Sequence, residues 1–173
     1  MTPVRLPRSM RLIHWTTAAL VLSLIGLGLA MTDSLANWRI AGIQLHKLAG
    51  LCVLVLTVLR LGLRARAPLP ELPAHVSRLQ QRVAGLVQVM IYLLLVAMPM
   101  SGWAMQGAAG NPVKVFAALT LPQIAPESLV LYGALREAHG FLAISLLLLI
   151  MLHIAGALYH GLVLRDGVLR RML

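Results

Sequence analysis

Six histidines punctuate a chain in which 60% of the residues are apolar and only 12% are charged. Four of them sit in or beside long apolar runs: His14 in "RLIHWTTAALVL", His46 in "HKLAGLCVLVLTVLRLGL", and His139 and His153 in "AHGFLAISLLLLIMLHIAGALYHG". An imidazole is costly to leave unpaired in hydrocarbon, so its recurrence there calls for partners. His139 and His153 are fourteen residues apart. On a helix that is about 21 Å of rise and about 40° short of four full turns, so the two share a face.

If successive apolar segments cross a membrane in alternating directions, His14 and His153 fall near one face and His46 and His139 near the other. Two opposed imidazoles at one depth can clamp an iron porphyrin. A tetrahedral zinc site needs four ligands converging at one level, and here the four are split between two. The pattern therefore favours two non-covalent b haems with paired histidine ligands, and filled axial positions favour electron transfer over oxygen binding. The propionates of a haem need cationic neighbours. Arg60, fourteen residues after His46, falls at the level of His14 and His153, while Arg39, Lys47 and Arg136 fall near the other pair.

The remaining polar groups have plainer readings beside sharper ones. His160, seven residues after His153, is placed to contact a propionate or a quinone head group, or to snorkel to water. His75 lies in a proline-rich stretch and is expected to be solvated. Gln88 and Ser101 are expected to hydrogen-bond inside the bundle. Gly26, Gly50 and Gly140 would let a flat macrocycle or a neighbouring helix come close.

Four apolar segments of the length needed to cross the hydrocarbon core must position these groups, at about 12–31, 45–63, 83–105 and 139–163. A mean hydropathy of +0.86 places the chain among integral membrane proteins. The expected fold is all-α, a single 173-residue domain forming a four-helix membrane bundle. The first segment is too long for a signal-peptide core and no clear cleavage site follows it, so it is read as retained. The net charge of +10 does not indicate nucleic acid, because the apolar runs leave no polar domain to carry such a surface. Arg5, Arg8, Arg11, Arg60, Arg64, Arg66, Arg78, Arg82, Arg165, Arg170 and Arg171 share one side, against Arg39, Lys47, Lys114 and Arg136 on the other. The positive-inside rule then puts both termini in the cytoplasm.

The loop "RARAPLPELPAH" is expected to be extended. The longer loop between the third and fourth segments, "QGAAGNPVKVFAALTLPQIAPESLVLYGA", is expected to lay a short helix on the membrane surface. Pro99 in "MPMSGW" should kink the third helix. Cys52 is the one cysteine, which leaves no intrachain disulfide and no covalent C-x-x-C-H haem attachment.

Taken together, "RLIHWTTAALVL", "HKLAGLCVLVLTVLRLGLRARAPLP", "GNPVKVFAALTLP" and "AHGFLAISLLLLIMLHIAGALYHG" resemble, in order, the bacterial cytochrome b561 family over nearly the whole chain from Arg11 onward. The resemblance implies a four-helix bundle of the inner membrane with two b haems, and the family's ligand pattern falls on His14, His46, His139 and His153. Within the family the chain is most similar to short cytochromes that oxidise superoxide and pass the electrons to ubiquinone. That implies ubiquinone as acceptor near Arg60 or His160, superoxide as donor, and Arg39, Lys47, Lys114 and Arg136 as cations able to steer a small anion. Lipid pairing is the plain reading of the same cations. A relay between the quinone pool and a protein such as a periplasmic dehydrogenase uses the same haems. A proton-coupled carrier with histidine relays is the alternative from another class.

Overall fold

A computed structural model describes residues 5–66, 76–116 and 119–173; His75 lies outside them. Four long helices carry the chain: α1 (Arg8–Thr32), α2 (Trp38–Arg66), α3 (Arg78–Ala108) and α4 (Leu129–Leu158). Each is long and apolar enough to cross a membrane. In hydrocarbon a backbone has no water to bond, and a helix satisfies every amide along its own length. Two buried hydroxyls follow the same logic: Thr17 Oγ1 and Thr57 Oγ1 donate back to the Ile13 and Val53 carbonyls, both at 2.7 Å.

All four helices begin or end beyond the apolar runs that announce them. The fourth is expected from His139, yet α4 starts ten residues earlier at Leu129 and continues as a π-helical turn, Tyr159–Leu164. The extra turns carry the arginines that flank the apolar runs, among them Arg8, Arg39, Arg66, Arg78 and Arg136. Caps set the ends. Ser77 and Gln80 form a reciprocal capping box on α3, and Ser128 Oγ accepts from Leu131 N–H on α4. At the far end of α3, Gly110 takes φ +69° while Asn111 N–H reaches the Gln106 carbonyl at 2.9 Å, a left-handed stop that suits glycine.

The loop after α3 corrects one expectation. In place of a surface helix it forms a small antiparallel hairpin, β1 (Lys114–Phe116) against β2 (Leu119–Thr120). The segment between Pro112 and Pro122 is too short for a stable helix, and Val113, Val115 and Thr120 are β-branched. Trp103 Nε1 donates to the Pro122 carbonyl at 2.9 Å and Ser128 N–H to the Ala108 carbonyl at 3.0 Å, which fastens the loop to the end of α3.

The chain packs in sequence, α1 on α2, α2 on α3 and α3 most extensively on α4. No comparable packing joins α4 to α1 or α2 among the described residues. At mid-depth all four helices meet in one apolar cluster of Val21, Val53, Leu94, Leu95 and Leu146. The two ends of the chain meet at one end of the bundle. Leu6 N–H donates to the Arg171 carbonyl, Trp15 Nε1 to the Met172 carbonyl and Arg11 to the Leu173 oxygen, at 3.0, 2.9 and 2.7 Å. We call this the terminal end and its opposite the loop end.

Candidate functional site

Every helix that supplies a histidine also places it relative to the apolar cluster by sevens. On α4, Leu146 lies seven residues from His139 and from His153; on α2, Val53 lies seven from His46 and from Arg60; on α1, Val21 lies seven from His14. A seven-residue step is about 10 Å of rise with only about 20° of drift, so each series stays on one face. Three levels result. His14, Arg60 and His153 occupy the terminal level, the cluster the middle, and His46 and His139 the loop level.

Across the helices the histidines meet in two pairs. The ring centres of His14 and His153 are 6.3 Å apart, and so are those of His46 and His139. The planes cross at 77° in the first pair and 65° in the second. Both pairs bridge from α4 to a helix on which it barely packs, so imidazoles span the slot that the backbones leave. His14, His46 and His139 are half-buried and His153 is exposed. No three side chains of the His, Cys, Asp and Glu kinds converge on a point among the described residues. These are paired sites rather than clusters.

A sequence profile of the prokaryotic cytochrome b561 family matches residues 5–173. The chain belongs to that family. Cytochrome b561 homolog 2 of Escherichia coli K12 is 31% identical over 165 residues, covering 92% of this chain and 86% of the relative. The probable superoxide oxidase CybB of Yersinia pestis is 31% identical over 164 residues, covering 93% and 91%. Cytochrome b562 of Cereibacter sphaeroides is 30% identical over 167 residues, covering 93% and 90%. As a cytochrome b561 family member the protein is a multi-pass bacterial membrane protein of electron transfer, and the family implies b-type haem.

The residues present fit that group. With ring centres 6.3 Å apart in each pair, His14 with His153 and His46 with His139 would hold a haem between them, which would supply a one-electron site at each level. The Nδ1 atoms of His14 and His46 are buried without a hydrogen-bond partner in the protein. Such polar atoms are rarely left in a structure unless something else engages the ring. The His139 Nδ1 is 2.8 Å from Ser101 Oγ, which orients the opposite nitrogen outward.

Other expected residues are distributed as follows. Arg60 is close enough for its charge to act on both His14 and His153, and its guanidinium lies over the Tyr92 ring. His160 Nδ1 meets Asp166 Oδ2 at 2.5 Å, and Asp166 Oδ1 caps Val168 N–H at 3.0 Å. That pair closes the turn after α4, a partnership that the chain pattern alone does not suggest. Arg39, Lys114 and Arg136 are exposed on the loop end and Lys47 is half-buried beside His46.

Gly26, Gly50 and Gly140 face open space, whereas Gly28 and Gly102 are the ones against histidine rings. A Cβ at Gly28 would come within 3.5 Å of His46 Cε1, and one at Gly102 within 3.3 Å of His139 Cε1. The seven-residue series is the signal that points to both: Gly28 follows His14 and Val21, and Gly102 follows Leu95. Trp15, whose ring centre is 5.3 Å from that of His14, is hidden in a stretch whose pattern is simply apolar.

Proposed function

We propose that this protein holds two b haems, one between His14 and His153 and one between His46 and His139, and oxidises superoxide to oxygen while reducing ubiquinone. The observation that carries the reading is a repetition: two imidazole pairs of equal separation on opposite sides of one apolar layer. When bound, the two haems supply one-electron sites in series across the membrane. Both termini lie in the cytoplasm on the positive-inside argument, which puts the loop end on the periplasmic side of the bacterial inner membrane.

The chain's own residues divide the work. Arg39, Lys47, Lys114 and Arg136 lie at the loop end, four cations against the carboxylates of Asp33, Glu127 and Glu137, and a local excess of positive charge raises the encounter rate of a small anion. Arg39, Lys47 and Arg136 are also the cations available for propionates there. Arg60 serves the terminal-end propionates. Each superoxide gives up one electron and leaves as dioxygen; two such electrons and two protons convert ubiquinone to ubiquinol. His160, hydrogen-bonded to Asp166, is the proton-bearing pair nearest the ubiquinone end. One relative is named a probable superoxide oxidase, and that name supports the same choice of donor.

The test is spectral. Pulsed superoxide should reduce the purified protein rapidly, giving the spectrum of a paired-histidine b cytochrome, and added ubiquinone should reoxidise it. Slow reduction without salt dependence would sink the choice of donor. The relay to a periplasmic redox protein draws on the exposed hairpin, where Lys114 and Leu119 point outward. Rapid reduction by a soluble redox protein with slow reduction by superoxide would favour it. A purified protein without a haem spectrum would favour the proton-coupled carrier.

A further inference from the structure

The segment "PMSGW" on α3 carries no ligand, yet it touches a ligand candidate twice. Ser101 Oγ lies 2.8 Å from His139 Nδ1 and 2.8 Å from the Met98 carbonyl. A serine hydroxyl has one proton, and a carbonyl can only accept. The Ser101 proton therefore goes to the Met98 carbonyl, and Ser101 Oγ is left as an acceptor. His139 must then carry its own proton on Nδ1 and donate it to Ser101. With Nδ1 protonated, the Nε2 lone pair is free to bind metal. Gly102, the next residue, leaves room for the same edge of the ring: a Cβ there would press on His139 Cε1 at 3.3 Å and lie 3.7 Å from Nδ1. Neither His14 nor His46 has such a partner on Nδ1.

We propose that Ser101 and Gly102 form a seat that fixes the tautomer and orientation of His139, and that Ser101 thereby tunes the redox midpoint of the loop-end haem alone. The inference rests on the haem assignment made above. A ring that donates an N–H hydrogen bond becomes a stronger electron donor through its other nitrogen. A stronger donor favours the oxidised iron, so the Ser101 contact holds that midpoint down. Ser101 acts through His139 and is a positioning residue. Pro99, two residues earlier, has no backbone N–H to contribute to the amide ladder of α3.

The experiment is a redox titration of the purified haem-loaded protein, paired with low-temperature electron paramagnetic resonance of its ferric form. Wild type, Ser101→Ala, Ser101→Cys, Ser101→Thr and Gly102→Ala are compared. Ser101→Ala should raise the midpoint of one of the two haems and shift one of the two ferric signals. Ser101→Cys, with a weaker acceptor of similar size, should move the same haem less, and it serves if the alanine variant fails to fold. Ser101→Thr, which keeps the hydroxyl, should restore the wild-type midpoint. Gly102→Ala should disturb the same ferric signal. Unchanged midpoints in both Ser101→Ala and Ser101→Cys, or an equal shift of both haems, would overturn the seat. A wild-type protein lacking paired-histidine signals would overturn the haem assignment itself and the seat with it.

Discussion

The guanidinium carbon of Arg60 lies 5.4 Å from the centre of the Tyr92 ring, joining α2 to α3 at the depth of His14 and His153. A cation stacked on an aromatic face is held in place without a carboxylate that would cancel its charge. It keeps that charge available to a propionate while covering its apolar stem. Arg60→Met should therefore lower the midpoint of the His14/His153 haem and leave the other unchanged, because a nearby positive charge favours the reduced, less positive iron. Tyr92→Leu removes only the stacking, about 0.5–2 kcal/mol, and should give a smaller shift of the same sign. Redox titration of both variants checks this.

The paired arrangement predicts an unusual pattern of haem loss. His14→Ala and His153→Ala should each cost the same haem, leaving about half the wild-type haem per protein. His46→Ala and His139→Ala should each cost the other. Combining two substitutions within a pair should remove no more than either alone, whereas one from each pair should remove nearly all. Pyridine haemochrome assays against protein concentration give the ratio. A graded loss that ignores the pairing would count against the assignment.

Much of this arrangement is legible in the residue spacing, because depth in a membrane is a one-dimensional problem. Fourteen-residue spacings on α2 and α4 give two levels directly, and alternating helix direction assigns His14 and His46 to them. What the spacing hides depends on helix rotation and on loops. Gly28 and Gly102 escape it because a glycine leaves no chemical signature until the ring beside it is known. Ser101 is an internal hydrogen bonder, as its apolar setting suggests, but its partner sits thirty-eight residues away on another helix. The short apolar run of the hairpin suits either a surface helix or a pair of strands, and Trp103 and the flanking prolines favour the compact strand pair. His160 and Asp166 are six residues apart, a spacing that an uninterrupted α-helix would not bring together; the π-turn and the left-handed Arg165 (φ 52°) do so.

The crossing angles of 77° and 65° carry a spectroscopic expectation. Imidazole planes that cross steeply make the two iron orbitals they overlap nearly equal in energy. Ferric low-spin centres of that kind are strongly anisotropic. Both haems should give such signals, with the His14/His153 centre the more extreme. Comparison of wild type with a variant lacking one histidine from each pair in turn assigns the two lines.

Leu146 is 3% exposed and sits at the centre of the middle level. Leu146→Ala should destabilise the bundle by about 2 kcal/mol, near the low end of the range for buried leucines, because lipid solvates apolar surface about as well as a protein interior does and only lost packing counts. Thermal unfolding in detergent measures the loss. Since the residue is equidistant in sequence from His139 and His153, both haem signals should broaden together, unlike the one-sided effects expected at Arg60 and Ser101.

The cations of the loop end separate steering from structure. Arg39, Lys114 and Arg136 are exposed and distributed over α2, the hairpin and α4, so glutamine at all three should leave the fold intact. A positive field raises the encounter rate of an anion and is weakened by salt. The triple variant should therefore be reduced by superoxide several-fold more slowly at low ionic strength, with a flatter salt dependence. Its reduction by an uncharged donor should match wild type. Equal slowing with both donors would instead place the cations in the haem pocket, as propionate partners. Unchanged rates with both would leave them as ordinary lipid contacts and remove the electrostatic argument for superoxide. Lys47, half-buried beside His46, is left out of the triple variant because its loss would touch the ligand candidate itself.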